Sequence, residues 1–121
     1  MVSKNKFSKS SPILTTGIVA SMLEITPDRL RTYDAENLIS THRIKTGQVH
    51  KRLYSQYDVE WLQSLRELVK THKMSISSIK ILLQIIQKNP NIILPNNKVG
   101  DTLLEMTNNP NFDKVVKKFK F

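Results

Sequence analysis

A catalyst built on this chain would have to draw on three histidines, ten carboxylates and no cysteine. His42, His50 and His72 never stand at i, i+4 from one another, and no metal-binding pattern surrounds them. Asp28, Asp34 and Glu36 fall in a helical region, where ion pairs and helix-dipole contacts are the ordinary use of a carboxylate. Serines are frequent, yet there is no Gly-x-Ser-x-Gly elbow and no glycine loop to cradle phosphate; three glycines are too few. The absence of cysteine excludes disulfides, thiolate metal sites, iron–sulfur clusters and thiol redox sensing. The expectation is a protein that is not an enzyme and takes no metal or cofactor.

Charge is the chemistry that remains. The 121 residues hold 19 Lys+Arg against 10 Asp+Glu, a formal net charge of +9. Arg43, Lys45, Lys51 and Arg52 form a stretch free of carboxylates and flanked by His42 and His50, and Lys114, Lys117, Lys118 and Lys120 cluster near the end. Clusters of one sign make a directed field and favour an anionic polymer as partner. The plainer alternative has the arginines pairing with Asp28, Asp34 or Glu36 on a solvated surface. No apolar run approaches the roughly 20 residues needed to cross a bilayer, and the basic start resembles no export signal, so a cytoplasmic protein is expected.

These charges need elements to carry them. At 121 residues and 39% hydrophobic, the chain has material for one modest core. Residues 1–12 are polar and basic and read as a flexible arm. Thr15 or Thr16 caps a first helix to about Glu24, with Ile18, Val19, Met22 and Leu23 as its buried stripe. Thr26-Pro27 restarts a helix with Leu30 and Tyr33 one turn apart, which makes a helix-turn-helix. Residues 41–54 read as a hairpin turning at Gly47. Ser55 and Asp58 resemble a capping box before Val59, Leu62, Leu65, Leu68 and Val69. Ser75 caps a helix from Ile76 to Ile86 that is apolar on more than one face. So greasy a helix implies burial against a second copy of the chain, through Ile79, Leu82, Leu83 and Ile86. The Asn- and Pro-rich stretch 89–100 reads as a linker whose Ile92, Ile93 and Leu94 lie against the core. A short helix from Asp101 follows, then another from Asn111 that places Phe112, Val115, Val116 and Phe119 on one face.

Thr16-Gly17-Ile18-Val19-Ala20, Thr26-Pro27-Asp28-Arg29-Leu30-Arg31-Thr32-Tyr33-Asp34 and Asn37-Leu38-Ile39 resemble the opening of MerR-family regulators. The likeness continues through Arg43, Thr46-Gly47, Lys51-Arg52-Leu53-Tyr54-Ser55, Asp58-Val59 and Met74-Ser75-Ile76 to Ile79-Lys80. It implies a mostly α fold, a winged helix-turn-helix with a small β-hairpin wing and additional C-terminal helices, over residues 13–88. It also implies a dimer on inverted-repeat DNA operators, with Arg31 and Arg43 as principal contacts, Lys51 and Arg52 assisting, and Tyr33 mainly packing. The candidate DNA-binding set is Thr16, Arg29, Arg31, Thr32, Tyr33, Arg43, Lys45, Lys51 and Arg52. Residues 89–121 form a linker and amphipathic tail, which folds back on the domain or places Phe112, Val116 and Phe119 at a dimer or partner contact.

There are departures from the family pattern. Thr32 stands where a tyrosine is common, Asn37 and Lys73 stand where glycines are common, and Pro90, Pro95 and Gly100 interrupt any long dimer helix. The compact chain most resembles the heat-shock repressor branch (HspR), then the glutamine-synthetase repressor branch (GlnR). The first implies a repressor of stress genes, located at the cytoplasmic nucleoid, that can take a chaperone as co-regulator through the tail. An architectural DNA-bending or excisionase-like recombination protein is the alternative.

Overall fold

The computed structural model describes residues 8–119. Leu14–Thr15 is a two-residue strand β1, which leads into helix α1, Thr16–Leu23; helix α2 spans Pro27–Ala35. The wing is β2, His42–Thr46, and β3, Val49–Tyr54. Helix α3, Gln56–Arg66, runs into a π-helical turn, Glu67–Thr71; α4 covers Ile76–Lys88, α5 Lys98–Thr107 and α6 Asn111–Val116. The sheet is antiparallel in the order β1-β3-β2. The fold is a mostly helical winged helix-turn-helix with further C-terminal helices. Among the described residues no helix is long and apolar enough to cross a membrane.

Local chemistry sets the boundaries. Thr15, Thr26, Ser55 and Ser75 each accept a backbone N–H three residues on, satisfying donors that the first helical turn leaves open. Asp58 completes a reciprocal box by accepting from the Ser55 N–H at 2.9 Å. Pro27 sits in the first turn of α2, where no amide donor is missed. Asn37 and Lys73 both take positive φ, 60° and 58°, the conformation that a glycine would hold more cheaply. Gly47 (φ 61°) makes the wing's turn.

One hydrophobic core unites the elements. Leu30 and Tyr33 of α2, Val19, Ala20 and Leu23 of α1, and Trp61, Leu62 and Leu65 of α3 belong to it, and α1 packs on both α2 and α3. The Trp61 indole donates to the Leu38 carbonyl at 2.6 Å, fastening the chain after α2 to α3. Two expectations fail here. Ile18 (51% exposed) and Met22 face outward, because in so short a helix Val19, Ala20 and Leu23 supply a sufficient buried face. Ile93 is 92% exposed and Ile92 also faces solvent, whereas Leu94 packs on the core.

The C-terminal helices require the largest revision. Ile79, Leu83 and Ile86 of α4 are buried, and α6 packs on α4 while α5 packs on α3 and the π turn. Phe112, Val115, Val116 and Phe119 join the same core. The residues expected to meet a second copy or partner are thus covered by their own chain. The helix is apolar on several sides because α6 closes one of them. Leu82 is half-buried, and Ile81 and Ile85, one turn apart, are the apolar side chains that α4 still exposes. Helix α5 begins at Lys98, three residues before the expected Asp101, because Asn97 caps it. Residues 1–7 of the expected flexible arm lie outside the described residues. Lys9 is anchored: its ammonium meets Glu60 at 2.9 Å and its carbonyl accepts from the Tyr57 N–H.

Candidate nucleic-acid interface

The wheel of α2 separates three roles at about 100° per residue. Leu30 and Tyr33 point into the core. Asp28, Arg31, Thr32 and Ala35 make the exposed arc, and Arg31 and Thr32 of the candidate set lie together there. Asp34 and Arg29 stand on opposite flanks, so Arg29 is turned away from the arc that carries Arg31. Arg31 donates to Asp28 Oδ1 at 2.6 Å, but Asp28 is almost fully exposed and the pair is readily exchanged for another anion. The Thr32 hydroxyl donates to the Asp28 carbonyl, leaving its oxygen free to accept. Tyr33 is buried, in keeping with packing, and burial pushes its hydroxyl above the ordinary tyrosine range.

On the wing, Arg43 lies directly across from Arg52 and Lys45 across from His50, so these four share one face. Ile44 pairs with Lys51, which places Lys51 on the other face. The basic stretch that is continuous in sequence is therefore divided between two surfaces. Two arginines in direct cross-strand register repel one another. Asp34 resolves that: its Oδ2 accepts from Arg43 Nη2 at 2.7 Å and from Arg52 Nε at 2.8 Å. Its side chain is only 8% exposed, so one largely buried anion from α2 holds both wing strands. The pairing of arginines with Asp28 and Asp34 that the sequence allowed is thus present, and at Asp34 it sets the geometry. It ties the exposed arc of α2 and the wing into a single rigid surface.

Lys45, His50 and Lys51 are exposed and form no ion pair among the described residues. Lys45 with Arg31 and the outer part of Arg43 supplies undischarged positive charge, and Lys51 adds a cation on the other face of the wing. Thr16, at the start of α1, is half-buried near the sheet and apart from that arc. Sequence reading passed over Arg66 and Lys70, which join Arg29 in a separate cleft, and Lys80, which pairs with Glu36 at 3.1 Å. Their signal was weak, since each is one cation in a helix whose apolar residues dominate the pattern.

This arrangement, an exposed polar arc on the second helix that carries Arg31 and is locked to a basic hairpin, suits the grooves and phosphates of duplex DNA. Residues 14–85 match the family described as MerR HTH family regulatory protein. The chain belongs to the MerR family. No curated protein matches the chain closely enough to count as a relative. Membership in the MerR family makes this a DNA-binding transcription regulator with double-stranded DNA as partner. The match stops before α5 and α6, so the helices that complete the MerR domain's core lie outside the family region.

Proposed function

We propose that this MerR-family protein is a sequence-specific repressor that binds inverted-repeat operators as a homodimer and governs stress genes at the nucleoid. The observation that carries the reading is the Asp34 clamp. It presents Arg31 and Thr32 on α2 and the Arg43–Lys45 edge of the wing as one preset surface, and preset geometry favours readout of a defined site. Arg31 reads base edges, with Thr32 beside it. Arg43, Lys45 and Lys51 follow the backbone, and Arg52 holds the wing in place.

The dimer contact in this reading shifts from the buried faces to the exposed Ile81–Ile85 stripe of α4, with Leu82 at its edge. The tail is not put forward as a chaperone hook, because its apolar face is already buried. Selection of bound sequences from random duplexes tests the reading: a recovered inverted repeat supports it, and recovery of no preferred sequence refutes it. Sedimentation at micromolar concentration should show a dimer that Ile81→Glu dissociates without loss of helicity. A wild-type monomer overturns that contact.

A further inference from the structure

On the flank of α2 away from Asp34 lies a cleft of about 220 Å³, bounded by the α1–α2 turn, α2 and the π-helical turn. Arg29, Arg66 and Lys70 line it, with Glu24 as its one carboxylate and Ile25 and Val69 as apolar wall. None of the three cations forms an ion pair among the described residues. The Arg66 Nε is buried and has no hydrogen-bond partner. Tyr33 forms part of the lining, and the Arg29 and Arg66 guanidiniums pull down a hydroxyl pKa that burial raises.

Gathering three like charges in one concavity is unfavourable unless an anion completes it, and the apolar wall strengthens the attraction for that anion. The balance is three cations against Glu24, a local charge of +2. A DNA phosphodiester carries a single negative charge, whereas a phosphomonoester, with a second pKa of about 6, is close to a dianion at neutral pH. We propose that this cleft binds a phosphate-type dianion, either inorganic phosphate or the monoester group of a small molecule. Arg29 belongs to the first turn of α2 and Arg66 ends α3. An occupant there ties the reading helix to the core from the side opposite the wing. The site stands on these residues alone and does not depend on operator recognition.

The test is an NMR titration of the full chain, following the arginine Nε–Hε signals, with inorganic phosphate added at constant ionic strength and chloride as control. The expected result is a saturable shift of the Arg29 and Arg66 signals, weakened about tenfold in Lys70→Gln through loss of one charge-assisted hydrogen bond. Lys70 is exposed, so this variant keeps its fold, and Arg66→Gln serves as a second. Ribose 5-phosphate supports a monoester ligand if it binds more tightly than inorganic phosphate, and free phosphate if it does not. A drift that chloride reproduces, or full affinity in Lys70→Gln, overturns the proposal. So does complete displacement of phosphate by a random-sequence duplex, which would assign the cleft to the DNA backbone.

Discussion

Replacing Asp34 by asparagine removes one charge at nearly constant size and isolates the clamp. The Arg43 side chain is 59% exposed, so its bond to Asp34 approaches a surface ion pair, worth up to about 1 kcal/mol. Arg52 is half as exposed, and its charge-assisted bond carries more, about 1.5 kcal/mol. Asparagine keeps one oxygen acceptor but no longer offsets two arginines in cross-strand register. The expected net loss is about 1–2 kcal/mol, with a fall in melting temperature of about 3–5 °C per kcal/mol for a chain of this size. Duplex binding should change in the opposite sense. Two arginines freed from a carboxylate bind random-sequence DNA more tightly, and the slope of log K against log salt steepens by about 0.9 for each further phosphate engaged. Thermal unfolding and fluorescence anisotropy across a salt series measure both quantities. Unchanged melting together with an unchanged or shallower salt slope would show that Asp34 neither holds the wing nor restrains its arginines.

Arg31→Ala should weaken duplex binding by about 1–3 kcal/mol in an anisotropy titration. Its melting temperature should stay near that of the parent, since the pair with Asp28 lies in solvent. Burial raises the hydroxyl pKa of both Tyr33 and Tyr54, so the unfolded chain loses those protons first. The stability that these two hydroxyls contribute is therefore constant below about pH 10 and is lost as pH rises beyond it. Urea titrations should show that fall, and Tyr33→Phe combined with Tyr54→Phe should reduce it. Gly100→Ala drives a Cβ into the Pro95 carbonyl, so the start of α5 must shift. The expected cost is about 1–3 kcal/mol by urea unfolding, and a neutral result would refute the close approach.

Much of the fold is legible in the sequence because capping chemistry is local. A threonine or serine three residues before an open N–H announces a helix start at Thr15, Thr26, Ser55 and Ser75 whatever the rest of the chain does. The buried pair Leu30 and Tyr33 and the turn at Gly47 are legible for the same reason. Choosing which side of a helix faces the core requires knowing what else arrives there. In α1, Ile18 and Met22 form as good a stripe as Val19 and Leu23, and only the placement of α3 decides between them. The same ignorance assigns the wrong face of α4 to a dimer contact, since nothing in the sequence fixes that α6 packs on the side holding the buried Ile79 and Leu83. At the site, the basic residues were visible as types, but the division of the wing into two faces depends on register. Asp34 could be named as a partner for arginines without revealing that it serves two of them at once.

The boundary between family module and tail has a practical corollary. A fragment ended near residue 85, as family alignment would recommend, strips α5 and α6 away and uncovers the faces of α3, the π-helical turn and α4 on which they pack. Such a truncate is a candidate for aggregation in the test tube. The appended pair of helices behaves as an inseparable lid on the recognition module, so any transplant of this module's specificity into another scaffold must bring that lid along.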